Sequence, residues 1–307
     1  MTMEDLGGLA TEASDPRYAE LDLMSVAELA QTMNEADATV PAAVQRALPQ
    51  IVPAIEATAD RMAQGGRLVY VGAGTPGRIG VLDASECPPT FSTPPELVFA
   101  IMAGGPGAIV NPVEGAEDDA EAGAAAIDAA GIGPLDTVIG IASSGRTPYV
   151  IAAVRRARER GALSIGLSCN VGTALSAAAE HGIEVEVGPE VLSGSTRLKS
   201  GTAQKLVLNM FSTISMVRNG KAYGNLMVDV KATNHKLRER AIRMVQTIAD
   251  VDRGAAKAAL EATSYDVKLA SIMIRRGEDL AAATARLDAA DGRLRTALEE
   301  NRCASSD

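Results

Sequence analysis

Apolar residues recur at helical spacing from Val26 to Met62, and Val44, Leu48, Ile51, Ile55, Ala59 and Met62 fall near one face. Pro49 and Pro53 predict a kink or a division there, because proline removes a helical N–H and crowds the preceding turn. Gly65-Gly66 closes the segment. The pattern then changes to short apolar runs at 68–71, 97–102, 137–141, 163–167 and 183–187, separated by helical stretches. Five buried-type strands joined by helices predict an α/β fold with a parallel sheet covered on both faces. Residues 202–218 read as a long, mostly apolar helix, and another helix is expected from after Gly224 to about Ile248. The Ala-rich remainder is amphipathic and broken at Thr263-Ser264 and Arg276-Gly277, which predicts a small helical bundle. The expected organisation is a helical segment over 1–64, a sheet domain over 65–224 and a helical region over 225–307.

The first apolar run leads into VGAGTPGRIG, where Gly72, Gly74 and Gly77 have the spacing G-x-G-x-x-G. A dinucleotide site would also need an acid at the end of the second strand to bind ribose hydroxyls. That strand instead ends in Met102-Ala103-Gly104-Gly105, and Glu96 precedes it, at the wrong end of the sheet. The third strand runs into SSGRTPYV, where Ser143, Ser144 and Thr147 offer hydroxyls beside a helix N-terminus, a place that favours phosphate. A third polar stretch, SGSTRLKSGT, precedes the long helix and adds Arg197 and Lys199. Any one of these turns fits helix capping. Three together make a phosphorylated sugar the leading ligand.

A formal charge of -10 argues against nucleic acid or an anionic membrane as partner. With no Trp, three Phe and five Tyr, few rings can stack a base or a flavin, so hydroxyls and backbone amides should hold a polar ligand. Three cysteines without a C-x-x-C pair give neither a disulfide framework nor a zinc signature and fit a reducing cytoplasm. The N-terminus lacks a basic region followed by an apolar one, and no apolar run is long enough to span a membrane.

The stretches VLDASECPPTF and NPVEGAEDD, expected as loops beside the second strand, carry Asp83, Glu86, Glu114, Glu117, Asp118 and Asp119. A carboxylate at a strand end facing a sugar suits proton transfer when burial brings its pKa toward the working pH. GRLVYVGAGTPGRIGVLDASECPPTF, VEGAEDD, GIASSGRTPYVI, VGPEVLSGSTRLKSGTAQKLVLNM and GNLMVDVKATNHKL are more specific still. On these stretches the chain resembles N-acetylmuramic acid 6-phosphate etherases, a bacterial branch of the sugar isomerase (SIS) fold, over almost its whole length.

The resemblance implies an SIS-type five-stranded sheet and a cytoplasmic homodimer whose pocket lies near the subunit interface. It implies a sugar-phosphate substrate and neither metal nor organic cofactor. Glu86 would protonate the departing lactyl oxygen and later activate water, and Glu117 would take the C2 proton. Gly74, Thr75, Ser143, Ser144, Gly145, Thr147, Ser195 and Thr196 would surround the sugar phosphate. Arg197, ahead of Lys199 and Arg78, would hold the lactyl carboxylate. His181 is expected in an exposed turn, His235 in a segment that SIS dimers can extend toward a neighbouring pocket, and Cys87 in packing.

Two other readings share this fold: a sugar-phosphate-binding regulator without turnover, and a sugar-phosphate isomerase. Glu86 and Glu117 together favour chemistry over sensing, and the long etherase-like stretches favour ether cleavage over isomerisation. Pro76 departs from the pattern, since the family usually has Ser there. With Thr75 as N-cap, proline would suit the first helical position. The hydroxyls of Ser143 and Ser200, where the family commonly has Ala, are expected to offset the one that is missing.

Overall fold

A computed structural model describes residues 9–232 and 234–299. The chain forms two compact units: the described residues through Ser85 together with Pro95–Ser215, and Glu86–Pro94 together with those from Met216 onward.

In the first unit, strands β1 (Leu68–Gly72), β2 (Val98–Met102), β3 (Thr137–Ile141), β4 (Leu163–Ser168) and β5 (His181–Glu184) form one sheet in the order β2-β1-β3-β4-β5. All neighbours are parallel, with Leu68 opposite both Val98 and Thr137, Thr137 opposite Leu163, and Ile165 opposite His181. Every residue of β1, β3 and β4 is buried, as expected for central strands covered on both faces. Helix α5 (Pro148–Glu159) buries Val150, Ala153, Val154 and Ala157, a single 3.6-residue stripe, within the same apolar core as Val69, Val71 and Val138. Helices α4 (Ala120–Ala129) and α6 (Ala174–Ala178) complete the crossovers around it. β5 starts two residues earlier than the apolar pattern suggested, so His181 opens a strand, half-buried, instead of standing in an exposed turn.

The N-terminal helical segment divides at Ala38-Thr39, between α1 (Val26–Asp37) and α2 (Val40–Ala63), and not at its prolines. Pro49 and Pro53 lie inside α2 with both side chains exposed. Carbonyls freed on the solvent face can bond water, while Ala47, Ile51, Ala54, Ile55 and Ala59 stay buried on the other. VLDASECPPTF is likewise not a loop. It belongs to helix α3 (Gly74–Phe91), which includes Pro88 and Pro89 and is followed by Ser92 at φ 52. Helix α7 (Lys199–Arg218) is the long apolar helix.

In the second unit the helix expected after Gly224 starts only at His235. Helices α8 (His235–Ala249), α9 (Arg253–Ala262), α10 (Val267–Arg276), α11 (Leu280–Ala289) and α12 (Leu294–Leu298) surround Ile242, Val245, Ile248, Leu260, Val267, Ile272 and Leu294. Asn234, Asp252, Asp266 and Asp279 each accept a backbone N–H as N-cap. The chain breaks fall after Ala262, with Ser264 and Tyr265 at positive φ, and at Gly277, the left-handed C-cap of α10.

Candidate active site

Only Ala73 separates β1 from α3. A Cβ on Gly72 would stand 2.5 Å from the Gly77 nitrogen, and one on Gly77 would stand 2.7 Å from the Gly72 carbonyl oxygen. These two glycines therefore let the strand end and the first helical turn touch. Gly74, at φ +57, supplies the left-handed residue between them. The helix begins at Gly74, so Thr75 is already helical and not the N-cap. Pro76 falls in the first turn, where its missing N–H would have lacked an intrahelical partner anyway. β2 ends at Met102 and is followed by Ala103, Gly104 and Gly105, so no acid stands at the strand end where a dinucleotide site would need one.

The sheet order changes direction between β1 and β3, and open α/β sheets bind ligands outside the strand carboxyl ends at such a point. The turn after β3 holds Ser143, Ser144, Gly145 and Thr147. Gly145 has φ +66 and backs onto Thr173, Ser144 Oγ accepts the Arg146 N–H at 3.2 Å, and Thr147 is the N-cap of α5 without a side-chain capping bond. The Ser143 carbonyl accepts from Asn170 Nδ2 at 2.9 Å, and Ser143 Oγ accepts from Gln204 Nε2 of α7 at 2.9 Å. The start of α7 also meets the glycine turn, since a Cβ on Gly201 would lie 3.6 Å from both Thr75 Cγ2 and the Thr196 carbonyl oxygen. The three polar turns thus converge through α7. Ser195 and Thr196 are half-buried and Arg197 is exposed.

Two expectations change here. Lys199 is buried and donates through Nζ to the Val187 carbonyl at 2.7 Å; burial lowers its pKa, and this placement leaves no free ammonium for a ligand carboxylate. The Ser200 hydroxyl donates to Glu190 Oε1 at 2.8 Å, and the same carboxylate accepts the Lys199 and Ser200 backbone N–H groups at 2.9 Å each. Glu190 is therefore the internal anion at the N-terminus of α7. Ser200 cannot offset a hydroxyl lost at Pro76, and Ser143 is buried against Gln204. Glu190 and Gln204 escape a sequence reading because helical periodicity does not reveal which polar residue is buried as a cap or brace. Cys169 is buried beneath the same turns, which pushes its thiol pKa up to about 12, and Cys87 is buried as expected.

Glu117 lies on the loop between β2 and α4. Its backbone carbonyl accepts the Tyr149 N–H at 3.0 Å, which fastens the loop to the start of α5. Its exposed side chain lines a cleft of ≈ 310 Å³ with Gly74, Arg78, Met102, Val113 and Glu114. Arg78 donates to the Ala108 and Ile109 carbonyls. Glu86 is exposed on α3, belongs to the second compact unit, and is not among the residues lining this cleft. Asp83, three residues before it, is buried and accepts from Tyr70 Oη, Asn209 Nδ2 and Ser212 Oγ, so it serves as a brace and not as a pocket acid. His235, exposed, is the first residue of α8. Among the described residues no cluster of His, Cys, Asp and Glu could hold a metal ion, and no helix is long and apolar enough to cross a membrane.

Comparison with known proteins extends the picture to the whole chain. The N-terminal SIS domain of glucokinase regulatory protein matches residues 50–158, the SIS domain matches 119–214, and the C-terminal lid domain of glucokinase regulatory protein matches 224–291. A phosphoheptose isomerase from Francisella tularensis has a similar fold, with a TM-score of 0.50 at 21% identity over 63% of this chain and 100% of that one. The N-acetylmuramic acid 6-phosphate etherase of Streptomyces avermitilis is 57% identical over 96% of this chain and 94% of its own length. That of Rubrobacter xylanophilus is 54% identical over 97% and 99%. At that identity over nearly the full length of each relative, the chain belongs to the N-acetylmuramic acid 6-phosphate etherase family.

Proposed function

We propose that the protein cleaves the D-lactyl ether of N-acetylmuramic acid 6-phosphate as a carbon–oxygen lyase, in the recycling of cell-wall sugar in the cytoplasm. The observation that carries this reading is the extent of identity to etherases, over 94% and 99% of the length of two of them, with Glu86 and Glu117 present. In the open-chain sugar the C1 aldehyde delocalises the charge left when Glu117 removes the C2 proton. The C3–O bond then breaks as Glu86 protonates the lactyl oxygen, giving D-lactate and a 2,3-unsaturated aldehyde. Water adds at C3 with its proton passing to Glu86, and C2 is reprotonated from Glu117. The sum is substrate plus water to N-acetylglucosamine 6-phosphate plus D-lactate.

The polar turns around the β1–β3 switch point support phosphate binding by Gly74, Thr75, Ser143, Ser144, Gly145, Thr147, Ser195 and Thr196. Ser143 acts there largely through its backbone, because its side chain is buried. Arg197, exposed and free of the constraints on Lys199, is the proposed partner of the lactyl carboxylate. A homodimer is proposed from the family resemblance, and Leu82 of α3 and Ile214 of α7, 53% and 41% exposed, are among the apolar side chains available to such an interface. A second copy would cover these apolar side chains. The purified protein is expected to sediment at twice the chain mass and to release D-lactate from N-acetylmuramic acid 6-phosphate in a lactate dehydrogenase assay. Binding of that sugar without lactate would overturn the etherase reading in favour of a sensor, and a monomeric mass would overturn the dimer.

Pro76 should weaken this enzyme without silencing it. The helix includes Pro76 in its first turn, so what is missing is one hydroxyl and one backbone N–H; Ser200 donates its hydroxyl to Glu190, and Ser143 is buried against Gln204. A neutral hydrogen bond contributes about 0.5–1.5 kcal/mol, so Pro76→Ser is expected to lower KM roughly two- to tenfold. An unchanged KM and kcat would show that this position does not meet the sugar phosphate.

A further inference from the structure

We propose that Arg78 is a positioning residue that sets the place of Glu117 by clamping the loop that carries it; the proposal rests on the etherase reading above. Residues 103–119 leave β2 through two left-handed glycines, Gly104 at φ +81 and Gly105 at φ +77, and enter a short 3-10 turn, Pro106–Ile109. Beyond that turn the chain has no helix or strand until α4, and Val110 is 80% exposed. Such a segment buries too little apolar surface to fix a base to within an ångström by packing alone.

Arg78 supplies a link from a rigid element. It sits in the second turn of α3 and donates through Nε to the Ile109 carbonyl at 2.8 Å and through Nη2 to the Ala108 carbonyl at 3.0 Å. Two bonds from one planar guanidinium fix both position and orientation. Glu114 and Glu117 line the same cleft, but the hydrogen bonds of Arg78 go to backbone carbonyls of the loop. Two of its five guanidinium N–H groups are taken by the backbone of the loop. At the far end the Tyr149 N–H holds the Glu117 carbonyl, and near the start Val113 packs against Gly104, where a Cβ would be 2.9 Å from Val113 Cβ. The base is thus suspended between a backbone anchor on α5 and a side-chain anchor on α3.

The alternative for Arg78 is direct contact with the lactyl carboxylate. The two roles separate on a sugar that lacks lactate. Arg78→Met and Arg78→Lys are compared with the parent for C2 exchange with solvent deuterium, on N-acetylmuramic acid 6-phosphate and on N-acetylglucosamine 6-phosphate, with amide hydrogen exchange followed in all three proteins. A base displaced by about 1 Å costs about 10²-fold. Arg78→Met is therefore expected to lose about that factor in the exchange rate on both sugars, with KM little changed and faster amide exchange over residues 104–118. Arg78→Lys keeps the charge but not the two-point donor, and should recover only a small part of the rate. A KM increase confined to the lactyl sugar, a full recovery by lysine, or unaltered amide exchange in the loop would each overturn the proposal. Absence of lactate release by the parent protein would instead overturn the etherase reading, and the amide exchange would still report whether Arg78 holds the loop.

Discussion

Glu117→Gln is expected to abolish both C2 hydrogen exchange and lactate release, whereas Glu86→Gln should stop lactate release and leave the exchange in place. Glutamine keeps the size of the side chain and removes its ability to take or deliver a proton. General acid–base catalysis by one positioned group contributes about 10²–10⁴-fold, so each lost step should fall by at least that range. The asymmetry arises because C2 deprotonation comes first and needs only the aldehyde to stabilise the charge, while departure of lactate needs an acid at C3. The structure offers separate supports for the two groups. Glu117 is on a loop beside the glycine turn, and Glu86 is on helix α3. Both are exposed in the single chain, so bound sugar or a second subunit must exclude water from them for their proton transfers to be efficient. Deuterium incorporation read by mass spectrometry, beside lactate measured in the same reaction, checks the division. Loss of exchange in Glu86→Gln, with folding and sugar binding intact, would assign C2 chemistry to Glu86 as well.

The parts of the fold that were legible in the sequence are those in which burial and periodicity coincide. β1, β3 and β4 are buried along their whole length, so their apolar runs mark them within a residue. Proline was the main source of error. Pro49, Pro53, Pro88 and Pro89 all lie inside helices, because a helix with a well-buried opposite face tolerates a lost backbone bond. VLDASECPPTF reads as a connection before the second strand, whereas its Glu86 lies within α3. The candidate site was legible as a set of hydroxyl-bearing turns at strand ends, but not in its division of labour. Lys199 and Ser200 look like ligand groups in SGSTRLKSGT, and only tertiary contact shows them committed to Val187 and Glu190. Glu190 itself lies nine residues upstream of the N–H it caps, beyond the reach of local capping patterns.

Asp83→Ala is expected to cost about 2–4 kcal/mol of folding stability, the largest such effect foreseen for a side chain beside the site. The carboxylate accepts from Tyr70 Oη at 2.7 Å, Asn209 Nδ2 at 2.5 Å and Ser212 Oγ at 3.1 Å, and joins α3 to β1 and α7. Alanine would remove this acceptor from the buried Tyr70 and Ser212 hydroxyls and the half-buried Asn209 amide, at about 1–3 kcal/mol for each buried group that finds no replacement. The pH dependence gives a second check. Burial raises the Asp83 pKa above its ordinary 3.8, and the hydrogen bonds oppose that shift without cancelling it. The folded state therefore binds the proton more tightly than the unfolded state, and the stabilisation from Asp83 falls as pH rises through the interval between the two pKa values. In urea titrations the penalty of Asp83→Ala should be largest at the acid end of the folded range and should level off above the folded-state pKa. A penalty that grows with pH across that window would mean that the three donors outweigh burial. Asp83 would then be an ordinary ionised anchor, and α3 would be seated more firmly at neutral pH than in acid.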